Sequence, residues 1–110
     1  MENYFNSLYQ ILKAIEYSSY TGEDIYDILD LKKLKITEIE LDIIIFNILN
    51  EEYAVNRISS INTGLMKRIN PDSLYNPQLT TKGYEYLEDN SKMKQAYRTL
   101  KELKEWIPGL

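Results

Sequence analysis

The chain has no cysteine and no histidine. Without cysteine there is neither a disulfide nor a thiolate metal site. Without histidine the commonest zinc ligand and the commonest general base at neutral pH are both missing. Only clustered carboxylates remain for a metal, and those suit hard cations. The acid pairs Glu23/Asp24, Glu51/Glu52 and Glu88/Asp89 are adjacent in sequence, so on a helix they diverge, and none has calcium-loop spacing. Gly64 and Gly83 stand alone, so there is no glycine-rich phosphate loop. These absences leave no catalytic residue, no metal ligand and no cofactor site to nominate. The expectation is a protein that is not an enzyme and has no small-molecule substrate.

Long apolar runs are missing too. The longest, Ile43-Ile44-Ile45-Phe46, falls far short of the ~18 residues that span a bilayer. Met1-Glu2-Asn3-Tyr4 lacks the basic start and apolar stretch of a signal peptide. No membrane is expected, and the expected location is cytoplasmic.

What is present suits one globular domain over residues 1–110. At 44% hydrophobic the chain is too apolar for disorder, and 110 residues bury about two-thirds of their unfolded surface. The net charge of −4 is unevenly spread. Residues 1–56 carry four basic and eleven acidic side chains; residues 57–110 carry nine and six. An acidic front half disfavours nucleic acid, whose affinity rests largely on neutralised phosphates.

Hydrophobic spacing predicts five helices and one hairpin. A first helix from about Glu2 to Tyr17 puts Tyr4, Leu8, Ile11, Leu12 and Ile15 on one face, and Ser18-Ser19-Tyr20-Thr21-Gly22 breaks it. A short second helix, about Glu23 to Leu29, buries Ile25, Ile28 and Leu29. The third is the most strongly signalled. Thr37 with Glu40 reads as a capping box, and Leu41, Ile44, Ile45, Ile48 and Leu49 follow with helical spacing. A strand from Tyr53 to Ile58, a tip at 59–64 and a returning strand from Leu65 to Ile69 form the hairpin, and Asn70-Pro71 ends it. Residues 72–78, with Pro77, read as a connecting loop. A fourth helix starts near Thr80 or Thr81 and runs to Asp89 with Tyr84 and Leu87 inward. A fifth, about 92–107, aligns Met93, Ala96, Tyr97, Leu100, Leu103 and Ile107.

The fold class is therefore mostly α with a small β-hairpin. Three helices followed by a two-stranded hairpin is the winged-helix order, a variant of helix-turn-helix, here with an additional C-terminal helix.

Two segments carry a family resemblance. Leu79-Thr80-Thr81-Lys82-Gly83-Tyr84-Glu85-Tyr86-Leu87 resembles the L-T-x-K-G-x-x-Y-L segment that follows the wing in many bacterial winged-helix proteins. Ala96-Tyr97-Arg98-Thr99-Leu100-Lys101-Glu102-Leu103-Lys104-Glu105-Trp106-Ile107 is similar to the C-terminal helix of the YjcQ family, and Asn50-Glu51-Glu52-Tyr53 sits where such proteins leave the third helix for the wing. The resemblance implies a winged helix of bacterial or prophage origin. It brings no ligand and no reaction.

Two candidate surfaces follow, with different partners. The third helix is the one a winged helix usually lays in the major groove. Its outward face collects Ile39, Ile43, Phe46 and Asn50, flanked by Glu40, Asp42 and Asn47, with no Lys or Arg between Glu38 and Glu52. A groove-reading helix offers basic and amide groups to bases and phosphates; this one offers two asparagines among apolar and acidic groups. Ile39, Ile43 and Phe46 are therefore candidates for a protein interface or homodimer, with Trp106 as a further anchor. The plainer reading has another part of the chain, such as the fifth helix, covering them and Trp106 packing on the domain. The second surface is for DNA: Lys32, Lys33 and Lys35 before the third helix, with Arg57, Lys67 and Arg68 on the wing. Its plainer reading is solvated surface charge. On the fifth helix, Arg98–Glu102 and Lys101–Glu105 are i, i+4 pairs of a solvated face. The ten tyrosines are read as amphipathic core-edge residues. Two functions stay open: a regulatory module working through protein contacts, and a DNA-binding transcriptional regulator.

Overall fold

The computed structural model describes residues 4–57 and 73–90. Over these the chain runs α1 (Tyr4–Thr21), α2 (Ile25–Ile28), α3 (Leu31–Leu34), α4 (Glu38–Asn50), β1 (Ala54–Asn56), β2 (Pro77–Leu79) and α5 (Thr81–Asp89). It is mostly helical, with a two-stranded antiparallel sheet pairing Ala54 with Leu79, Val55 with Gln78 and Asn56 with Pro77.

α1 is the hub, with β2, α2, α4 and α5 all packing on it. Ser7 through Leu12 are buried without interruption, as are Ala14, Ile15 and Ser18. A helix enclosed on so many sides carries more than one apolar stripe. Ser7 and Gln10 share its buried surface, and Ser7 Oγ and Gln10 Oε1 have no hydrogen-bond partner among the described residues. The helix also continues through the serines predicted to end it. Ser19 Oγ donates to the Glu16 carbonyl and Thr21 Oγ1 to the Tyr17 carbonyl, so the hydroxyls turn back on the helix. Gly22, at φ 80°, ends it, its N–H reaching the Ser18 carbonyl at 2.9 Å.

The predicted second helix is shorter than expected, and a further turn follows it. Asp24 caps α2 through the Tyr26 N–H, and Asp30 caps α3 through the Lys32 and Lys33 N–H groups. Each aspartate offers its oxygen to the backbone and starts a new turn, so the predicted helix at 23–29 is reduced to α2 and a second turn, α3, follows where no helix was expected. Lys35, in the left-handed region at φ 59°, closes α3 and turns the chain into α4.

α4 follows its sequence signals closely. Thr37 Oγ1 accepts from the Glu40 N–H at 3.1 Å, and the Glu40 carboxylate accepts from the Thr37 N–H at 3.0 Å. This capping box satisfies two donors of the helix start. Thr37→Ala is expected to cost about 1 kcal/mol in urea unfolding, with no change in fold by circular dichroism. Leu41, Ile44, Ile45 and Ile48 are buried and Leu49 is half-buried.

The second strand lies where a loop was expected. Pro77 has no N–H for a ladder, but as the first residue of β2 it needs none there. Pro77 and Leu79 turn inward around Gln78, an alternation too short to read from sequence. Asn56 ties the approach: its Nδ2 donates to the Ser73 carbonyl and its Oδ1 accepts from the Tyr75 N–H, both at 2.8 Å. The predicted returning strand at 65–69 and the fifth helix lie outside the described residues.

α5 begins at Thr80, whose hydroxyl accepts from the Gly83 N–H. Gly83 and Leu87 are buried, but Tyr84, expected inward, is exposed. Its hydroxyl meets Tyr20 of α1, and desolvation followed by that hydrogen bond push the phenol above its usual range.

Candidate functional site

α4 divides its circumference in two. The buried face holds it to α1 and β1. On the opposite face Ile39 is 73% exposed, Ile43 45% and Phe46 50%. At 100° per residue these three fall within one narrow stripe, which Asn50 continues toward the helix end. Three large apolar side chains one turn apart on an exposed helix face form a contiguous patch.

The borders of the stripe are acidic. Glu38 and Asp42 lie along one edge, both exposed and neither paired with a cation among the described residues. Past that edge a cleft of about 310 Å³ opens between α4 and the α2–α3 segment, lined by Tyr26, Leu29, Leu31, Glu38, Leu41 and Asp42. It has an apolar floor and an acidic lip. On the other edge Glu40 is held in the capping box. Asn47 also lies there, and its amide Nδ2 donates to the Tyr4 hydroxyl at 2.9 Å. One of the two asparagines that α4 offers to a base edge is thus already engaged within the fold. Tyr4 belongs to a cluster with Tyr53 and Tyr86, whose rings lie 5.2 Å apart; burial, then Tyr53 and Tyr4, push the Tyr86 phenol up.

The basic candidates fall on separate elements. Lys32 and Lys33 sit on α3, Lys35 is its C-cap, and Arg57 follows β1 with its N–H bonded to the Asn76 carbonyl. Lys32, Lys35 and Arg57 are exposed and Lys33 is half-buried. Lys67, Arg68 and Trp106 lie outside the described residues, so the structure unites Ile39, Ile43 and Phe46 in one stripe and leaves both the wider basic set and the Trp106 anchor incomplete. No group of three acidic side chains gathers to hold a metal among the described residues, and no helix there is long and apolar enough to cross a membrane.

Residues 79–83 form a latch. The Thr80 N–H donates to the Tyr53 carbonyl and Thr80 Oγ1 to the Glu52 carbonyl. Lys82 Nζ lies 3.5 Å from the Glu51 carboxylate and 5.2 Å from the centre of the Tyr53 ring. The backbone of Gly83 passes so close to the Tyr53 carbonyl that no side chain fits between. A Leu-Thr-Thr-Lys-Gly run meeting a Glu-Glu-Tyr corner binds the end of α4 to the start of α5. The family model described as YjcQ protein matches residues 9–106, from α1 through this latch and beyond. The chain belongs to the YjcQ family. It is 52% identical over 31 residues to a protein named "Uncharacterized protein YjcQ" from Bacillus subtilis (strain 168), a match covering 28% of this chain and 33% of that protein. The chain thus spans about a third of the length of that curated relative. No solved structure matches. For this YjcQ chain the 79–83 run has a structural task, while the α4 stripe has none within the described fold.

Proposed function

We propose that this YjcQ chain is a winged-helix regulatory module of bacterial or phage origin that works through protein contacts made by the outward face of α4. The fold reading rests on element order: three helical segments lead into α4, and the antiparallel β1–β2 pair follows it as the base of a wing. The functional reading rests on one observation, that the helix in the recognition position turns Ile39, Ile43 and Phe46 outward beside Glu38 and Asp42, which pair with no cation among the described residues. In a major groove those carboxylates would face phosphates, and the isoleucines would offer bases no hydrogen bond. Against a protein the same apolar stripe with a polar border is an ordinary docking patch.

A second reading keeps the chain as a DNA-binding regulator. The exposed Lys32 and Lys35 immediately before α4, together with Arg57, favour it. Isotope-labelled protein distinguishes the two. Titration with duplex DNA at low salt should leave the resonances of Lys32, Lys33, Lys35 and Arg57 in place, and raising the protein concentration should broaden Ile39, Ile43 and Phe46. Duplex binding that weakens steeply with salt, moves the basic set and is lost in Lys33→Glu with Arg57→Glu would overturn the protein-contact reading.

A further inference from the structure

The cleft between α4 and the α2–α3 segment joins three features that no role described so far uses. Its floor is apolar, with Leu29 and Leu31 from the α2–α3 side and Leu41 from α4. Its lip carries two carboxylates, Glu38 and Asp42, one helical turn apart with Cβ atoms about 6 Å from each other. Both are exposed, and neither pairs with a cation among the described residues. Lys32, Lys33 and Lys35 are close in sequence but are not among the lining residues, so the walls supply no counter-charge. The third feature is Tyr26, an aromatic wall that is held in place. Its hydroxyl oxygen accepts from the N–H of buried Leu74 at 3.0 Å. At about 310 Å³ the cleft is at the small end of the range for small-molecule sites.

We propose that this cleft is a binding site for a small amphipathic organic cation, an ammonium group on a compact apolar body. Each part of such a ligand answers one feature of the cleft. The apolar body covers Leu29, Leu31 and Leu41 and displaces water from them. The ammonium lies at the lip with Glu38 and Asp42, where the Tyr26 ring adds to its attraction. An organic anion meets two carboxylates and is refused, and a neutral molecule gains the floor alone. A bare metal ion does not suit the site, because two carboxylates fall short of the roughly six oxygens that a hard cation takes. The cleft lies to one side of the stripe of Ile39, Ile43 and Phe46, so a ligand can occupy it whether or not that stripe meets a protein.

Phenethylamine is the probe, with phenethyl alcohol as its neutral counterpart and hydrocinnamate as its anion. Added to isotope-labelled full-length protein, the amine should move the resonances of Tyr26, Leu29, Leu31 and Leu41 with a dissociation constant of about 1 mM, the range open to a ligand of so few atoms. The Leu74 amide, bonded to Tyr26, should move with them. The alcohol should bind about tenfold more weakly, and hydrocinnamate should not bind. Glu38→Gln combined with Asp42→Asn keeps the shape of the lip and removes its charge. In that variant the amine should bind no better than the alcohol, while unchanged binding of the alcohol shows that the cleft still forms. Equal binding of amine and alcohol by the parent chain overturns the proposal, since the lip then selects nothing. An amine that moves none of these resonances overturns it as well. So do cleft resonances that ignore the amine and shift only as the protein is concentrated, which would make the cleft a seat for a second copy of the chain.

Discussion

Gly83→Ala should lower the stability of the folded chain by about 3 kcal/mol, the cost of forcing an atom into a packed contact. In a domain of this size that moves the thermal midpoint down by roughly 12–24 °C. The direction is the informative part. A glycine inside a helix normally gains stability on substitution by alanine, by roughly 0.5–1 kcal/mol. Here a Cβ would stand 2.1 Å from the Tyr53 carbonyl oxygen and 3.2 Å from Leu79 Cδ2. The first neighbour is backbone and cannot swing away. It also accepts the Thr80 N–H, so moving it breaks the latch. Thr80→Ala, which removes the cap and the bond to the Glu52 carbonyl but adds no atom, should cost less, about 1 kcal/mol. Thermal unfolding followed by circular dichroism ranks the pair. A Gly83→Ala chain as stable as its parent would mean that α5 does not rest on the Tyr53 carbonyl.

The latch shows where sequence reasoning succeeds and where it stops. The run from Leu79 to Leu87 was recognisable as a family segment, and Thr80 was legible as a cap. Neither reveals that Gly83 is required by Tyr53, thirty residues earlier, because that requirement exists only once α4, β1 and α5 are assembled. Local signals transferred well: the Thr37–Glu40 box and the buried face of α4 depend on neighbours within a few turns. The misplaced elements have non-local or short-range competing causes. α3 is a single turn set by Asp30, too short for a periodic pattern. β2 is three residues opened by a proline, held because Asn56 captures Ser73 and Tyr75. Ser18 and Ser19 read as a break, yet their hydroxyls find acceptors at Glu23 and Glu16 while the helix continues. In the candidate site, the stripe of Ile39, Ile43 and Phe46 was visible by periodicity alone. The engagement of Asn47 was not, because Tyr4 lies 43 residues away in sequence. That bond removes half of the amide readout that the sequence appeared to offer a base.

Substitutions on the two faces of α4 should separate by several kcal/mol. Ile44 and Ile48 are fully buried, and trimming either to alanine removes three carbons from a close-packed site; each should cost about 2–5 kcal/mol in urea unfolding. Ile39→Ala should fall within about 0.5 kcal/mol of the parent, since its side chain lies mostly in water and alanine is the better helix former, and Ile43→Ala, about half exposed, should cost about 1 kcal/mol, still well below Ile44. Unfolding measured at low protein concentration keeps self-association out of the comparison. If Ile39 and Ile43 proved as costly as Ile44, the outward face would be part of the fold's own core and no partner would be needed to explain it. If they matter so little to folding, their role must lie elsewhere. A thirteen-residue helix that leaves isoleucine and phenylalanine exposed, with carboxylates beside them, gains nothing from that face among the described residues. For the proposed protein contact, that combination becomes favourable when a partner surface covers the isoleucines and the phenylalanine.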